Sequence, residues 1–171
     1  MNATSLLTQQ HRQIKAALKK LESRKADDWS LLLEVANTVA AHMAIEQEIF
    51  YPAARMADED LVIESFEEHA IAELALKRLV ATDPTNVTFT ARVTVLREIL
   101  VRHIDAEEQD LFPKVEKGLG AEANARLGKK MKAAFDSAVE RGYEAALPRG
   151  SRTSADAAER RALAASNGHA R

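Results

Sequence analysis

Four histidines dominate the chemistry that this chain of 171 residues could carry: His11, His42, His69 and His103. A fifth, His169, sits in the C-terminal tail and is read as an ordinary tail residue. Glu46 follows His42 by four residues, Glu107 follows His103 by four, and Glu73 follows His69 by four. Residues four apart share one helix face, so each pair can offer a nitrogen and an oxygen to the same point. Imidazole and carboxylate together suit a cation. Seven such donors exceed one tetrahedral ion and suit two ions bridged by carboxylates, with iron the best fit and manganese or zinc less specific ones. The chain has no cysteine, which excludes disulfides, thiolate zinc sites, iron–sulfur clusters and cysteine nucleophiles.

The elements that must position these residues follow from apolar spacing. A first helix is predicted over about residues 5–24, with Leu7, His11, Ile14, Leu18 and Leu21 in line. A second, capped by Asp27 or Asp28, carries Leu32, Val35, Val39, His42, Glu46, Ile49 and Ala53 on one seam. A third over about 60–81 aligns Val62, Phe66, His69, Glu73, Leu76 and Val80 before Asp83–Pro84. A fourth over about 88–117 aligns Val93, Leu96, Leu100, His103, Glu107 and Leu111, and Gly118 and Gly120 are predicted to end it. Low aromatic content (5%) and only six Gly and four Pro favour an all-α protein. Short links favour an up-down-up-down four-helix bundle. Counted from the loops, the four histidines lie at about the same level, so four imidazoles converge inside the bundle. Buried carboxylates there would repel one another and lose hydration, a cost that bound cations remove.

The segment HMAIEQEIFYP (42–52) is echoed by HIDAEEQDLFP (103–113), 61 residues later, and His11 and His69 are 58 apart. Two helix pairs related by a pseudo-two-fold axis would each deliver half of a dinuclear site. Pro52 and Pro113 are placed to kink or end a helix beyond the candidate ligands. Tyr51, beside Pro52, is read first as ordinary packing and second as an outer donor over the metals, while Glu48 and Glu108 are read as solvated. Residues 1–120 thus form the metal-binding bundle, 121–147 an accessory helix packed outside it, and 148–171 a mobile basic tail. A net charge of −2 gives no drive toward nucleic acid or membrane. No signal peptide or spanning run is apparent, so a cytoplasmic protein is expected.

The pattern His11, His42-x3-Glu46 before Tyr-Pro, His69, and His103-x3-Glu107 before Phe-Pro resembles the hemerythrin-like HHE cation-binding family over about residues 5–117. The resemblance implies a four-helix bundle with a non-haem di-iron centre. It maps the family's ligands onto His11, His42, Glu46, His69, His103 and Glu107. Oxygen-carrying hemerythrins have a histidine where this chain has Glu73, and they end on an aspartate five residues after the last histidine. The extra carboxylate favours ferric iron over the diferrous state that reversible O2 storage needs. The pattern looks closer to bacterial hemerythrin-like proteins that break down peroxide or respond to NO or iron.

Two irons, oxo- or hydroxo-bridged and carboxylate-bridged, are therefore expected. The expected activity is that of an oxidoreductase toward small oxidants: peroxide disproportionation, or turnover of NO and peroxide. The alternative is a protein that binds or senses O2, NO or iron without turnover. A ferritin-like carboxylate oxidase fits less well, because that class uses Glu-x-x-His, whereas Thr8, Val39, Phe66 and Leu100 stand three before the core histidines.

Overall fold

A computed structural model describes residues 1–23 and 29–147. Its elements are α1 (Ala3–Ser23), α2 (Trp29–Ile45), a π-helical turn (Glu46–Phe50), α3 (Tyr51–Ala54), α4 (Glu59–Val80), α5 (Phe89–Ala106), a second π turn (Glu107–Leu111), α6 (Phe112–Arg141) and α7 (Tyr143–Ala146). The expected cap at Asp27 or Asp28 and the tail 148–171 lie outside the described residues.

Both α1 and α4 run antiparallel to α5 and its continuation, as three contacts between helix ends show. Thr4 at the start of α1 donates to Glu116 Oε1 at 2.5 Å, beyond the second π turn. Thr94 near the start of α5 donates to Glu22 Oε1 at 2.6 Å, at the end of α1. Lys114 donates to Asp58 Oδ2 at 2.6 Å, at the start of α4. The helices α1, α2, α4 and α5 form a ring in which each packs on the next.

The apolar seams close two cores. One, on the side of the interhelix loops at Asp83–Thr88, gathers Leu18, Leu32, Val39, Leu76, Leu96 and Leu100. The other gathers Leu7, Ile45, Phe50, Phe66, Leu111 and Met131. The histidines and glutamates form a polar layer between them. Along each helix, residues on one side of that layer belong to the first core and those on the other side to the second.

Pro52 and Pro113 do not end their helices. Proline lacks an N–H and its ring presses on the carbonyl four residues back. Here the turn ahead of each proline widens to π geometry, and the proline then opens the next α segment as one of its first two residues. The extra residue in the first π turn also moves the seam. Ile49 and Ala53, expected in the core, are only half-buried, whereas Phe50 and Ala54 are buried.

Gly120 ends the fourth bundle helix as expected, at φ 74°, and the chain resumes as helix to Arg141. Gly118 stays helical. The segment after Gly120 packs on α1 and α2: Met131 is fully buried, and the Ala3 N–H donates to Asn124 Oδ1 at 2.9 Å. A second break, not expected from sequence, falls at Gly142 (φ 78°), after which the Tyr143 N–H donates to Asn37 Oδ1 at 2.8 Å.

Candidate metal centre

The polar layer is built from a single histidine on each of two helices and a His–Glu pair on each of the other two. His11 comes from α1, His42 from α2 with Glu46 opening the first π turn, His69 from α4, and His103 from α5 with Glu107 opening the second. All six side chains are essentially inaccessible to solvent. Glu46 touches three imidazoles: Oε2 lies 3.2 Å from His42 Nε2 and 3.3 Å from His69 Nε2, and Oε1 lies 3.6 Å from His11 Nε2. Glu107 Oε2 lies 3.4 Å from His11 Nε2 and 3.5 Å from His103 Nε2. The Nε2 atoms of His69 and His103 face each other at 3.0 Å.

Each ring is fixed from behind. His11 Nδ1 meets Glu108 Oε1 at 2.8 Å, His42 Nδ1 meets Gln10 Oε1 at 3.0 Å, and His103 Nδ1 meets Glu68 Oε2 at 2.8 Å. These acceptors hold a proton on Nδ1 and leave Nε2 facing inward, the arrangement that makes imidazole a ligand. Gln47 Nε2 lies 3.0 Å from His69 Nδ1, and turning the amide over would give its oxygen the same part.

Sequence reasoning missed Gln10, Gln47 and Glu68, and it read Glu108 as solvated, although Glu108 closes on His11. The signal was present in the repeat. Gln10 and Glu68 are 58 residues apart, each just before a core histidine, and Gln47 and Glu108 are 61 apart, each just after a core glutamate. The contacts obey the same symmetry, since Gln10 reaches His42 as Glu68 reaches His103, and Gln47 reaches His69 as Glu108 reaches His11.

Burial acts against the charge on every ring. On His11 the opposing pull of Glu107 and Glu46 wins and raises its pKa to about 10. On His103 burial is likewise outweighed by Glu107, Glu68 and Glu46, and the pKa rises. Burial prevails on His42, lowering it to about 3 against Glu46, and on His69, with His103 adding to the effect. Burial would lift the Glu46 carboxyl, but His42, His11 and His69 hold it well below the usual range.

Tyr51 is brought fully inside, with its hydroxyl 3.0 Å from His69 Nε2 and 3.4 Å from His103 Nε2. Burial, together with Glu107 and Glu46, raises its pKa well above the usual phenol value, so it stays protonated. Glu73 is also buried, but its carboxylate is paired with Lys77 Nζ at 2.8 Å, one turn further along α4.

The residues fit a pair of cations. No contact to either oxygen of Glu46 or Glu107 has hydrogen-bond geometry among the described residues, and the same holds for His11 Nε2 and His42 Nε2. Buried polar atoms in that condition cost free energy unless something else engages them. Donor atoms of His11, His42 and Glu46 lie within 4.8 Å of one another, and so do those of Glu46, His69 and His103, so Glu46 is common to two candidate positions. Glu107 and Glu73 belong to neither group.

The family description "Hemerythrin HHE cation binding domain" matches residues 2–115. This chain belongs to the hemerythrin HHE cation-binding domain family. In fold it is similar to a hemerythrin HHE cation-binding domain-containing protein from Mycobacterium kansasii. That solved structure shares 23% sequence identity with a TM-score of 0.73, over 82% of this chain and 89% of that one. The chain is also 24% identical over 139 residues to a Nostoc sp. protein named DNA nickase, matching 78% of this chain. It spans only 39% of that relative's length. No helix among the described residues of this HHE-family protein is long and apolar enough to cross a membrane.

Proposed function

We propose that this HHE-family protein holds two non-haem iron ions and disproportionates peroxide. The observation that carries the reading is the sharing of Glu46 between two buried imidazole pairs, His11 with His42 and His69 with His103. In this reading His11, His42, Glu46, His69, His103 and Glu107 would hold the ions. Glu73 stands outside because its contact runs to Lys77. Sulfur-free nitrogen and oxygen donors suit iron, and a pair of irons supplies the exchange of two electrons. Disproportionation needs no outside reductant: one peroxide is oxidised to dioxygen while a second is reduced to two waters.

The protein's own groups serve that chemistry in separable ways. Glu68, Glu108, Gln10 and Gln47 orient the four rings and fix their tautomers. Tyr51 offers an O–H inside the cluster, beside His69 and His103. The two apolar cores shut bulk water away from the polar layer.

The test is metal content and oxygen evolution from peroxide on iron-loaded protein, with His42→Ala as control. About two irons per chain and oxygen evolution lost in the variant are expected. Iron bound without oxygen evolution would sink the peroxide reading and leave binding or sensing of O2 or NO. Failure to take up iron would sink the metal reading itself.

A further inference from the structure

The two halves of the repeat differ in how they shield the polar layer. Over Glu46, the groove between α1 and α2 is filled by Leu7, Ile45 and Phe50, all buried, and the helix after Gly120 lies across it with Met131. The equivalent groove, between α4 and the second π turn, leads to Glu107. There the counterparts are smaller throughout: Ser65 for Leu7, Ala106 for Ile45, and Leu111 for Phe50. These three, with Leu61 and Glu68, line a cavity of about 10 Å³ that ends on Glu107. Such a space holds roughly one water molecule. Neither oxygen of Glu107 has a hydrogen bond among the described residues, although the side chain is only 1% exposed.

We propose that molecules the size of water, peroxide or dioxygen reach the donor cluster through this gap between α4 and the second π turn, over Glu107. Two other openings lined by described residues stop short. The wide groove outside α1, lined by Thr8, Arg12 and Glu108, meets the Phe112 ring stacked on His11, with centroids 5.7 Å apart. Glu108 holds the outward nitrogen of His11 from that side. The cavity bounded by Ala134, Ser137 and Arg141 reaches Gln47, whose amide is engaged by His69. Of these three openings, the Glu107 gap is the one that touches a carboxylate of the cluster directly. Its width also selects by size, because two adjacent helices must part before anything larger passes.

The inference rests on the metal reading for its use but not for its test. In the protein without added metal, NMR relaxation caused by dissolved dioxygen reports where the gas penetrates. The methyls of Leu111 and Leu61 should relax faster than those of Leu7 and Ile45. The difference should vanish in Ala106→Ile, which installs the residue of the closed half. In iron-loaded protein, Ala106→Ile should slow NO association, followed by stopped-flow absorbance, at least tenfold with iron content and final absorbance unchanged. Thr8→Leu, which narrows the outer groove, should leave that rate alone. If Ala106→Ile does not fold, Ser65→Val is the smaller step into the same gap. Stronger relaxation at Leu7 and Ile45, unchanged NO kinetics in a folded gap variant, or slowing by Thr8→Leu would overturn the path. Absence of bound iron would instead overturn the metal reading, and the relaxation result would still decide the path.

Discussion

Tyr51 and Phe112 occupy equivalent positions 61 residues apart, each following a π turn, yet only one brings a polar atom into the cluster. The Tyr51 hydroxyl lies 3.0 Å from His69 Nε2, whereas the Phe112 ring stacks on His11. The near-symmetry of the buried His and Glu therefore conceals two unlike sides. Tyr51→Phe makes the sides alike and deletes one buried hydrogen bond, worth about 1 kcal/mol. The expected outcome is a thermal midpoint lower by about 2–4 °C. Iron content should stay the same, because all six proposed holders remain. Melting curves and metal analysis on the purified variant check both.

Ion binding and fold stability should be linked, because the holders come from four different helices. A ligand that binds only the folded state, at a hundred times its dissociation constant, stabilises by about 2.7 kcal/mol. Ferrous ion added to chelator-treated protein should raise the midpoint by about 5–10 °C on that basis. His42→Ala should remove most of the rise. An equal rise in the variant would place the ion elsewhere.

The residues behind the imidazoles should matter nearly as much as the rings. Glu108→Ala and Glu68→Ala each release an Nδ1 that a carboxylate now fixes. Losses of this kind cost about 10–100-fold in metal affinity. Competition against a chelator of known affinity measures it. Glu48→Ala, an exposed change on the same π turn as Glu46, should cost nothing measurable.

Much of this was legible in the sequence because helix periodicity and ligand chemistry point the same way. The seam from Leu7 to Leu21 and the seam from Val93 to Leu111 are buried at every expected position. Spacing and equal depth turn seven His and Glu inward, Glu73 among them, and all seven are buried. What sequence reading lost was the π turn: one added residue moves burial from Ile49 to Phe50, and no propensity marks it except the proline beyond. Glu73 shows how a neighbouring charge complicates the reading. Its spacing from His69 is that of a ligand, but Lys77 one turn on offers the nearer charge. Glu108 looked solvated because its apolar context is weak, and only its counterpart Gln47 reveals the position as inward-reaching.

Asp58 gives an acid-dependent contribution that is independent of the cluster. It caps α4 by accepting from the Leu61 N–H at 3.0 Å, and it also takes the Lys114 ammonium at 2.6 Å. The Lys114 contact, helped by the Leu61 N–H, lowers its pKa below the ordinary carboxylate value. For a depressed carboxyl, the stabilisation is fully present above the unfolded-state pKa and is lost as pH falls through the folded one. Asp58→Asn keeps a side-chain oxygen for the cap but cannot ionise. Its deficit relative to the parent should therefore be visible at pH 7 and shrink toward pH 3. Paired melts at the two pH values check the sign, and a deficit that grows in acid would contradict it.

Gly128 tests whether the helix beyond Gly120 braces the cluster. A Cβ built there would come 2.6 Å from the Asn2 carbonyl carbon, 2.7 Å from the Met1 oxygen and 2.8 Å from the Ala3 nitrogen. All are backbone atoms, so no side chain can swing aside. Exchange of glycine for alanine inside a helix ordinarily stabilises by about 1 kcal/mol. Here the crowding should reverse the sign, with overpacking costing about 1–3 kcal/mol. The strain falls on the junction where Asn124 receives the Ala3 N–H, one turn from Leu7 and two from His11. Gly128→Ala should therefore lower the midpoint and speed amide exchange at the start of α1, while α4 and α5 stay protected. Exchange that rises uniformly over all four bundle helices would instead mean that this junction and the bundle unfold as one unit.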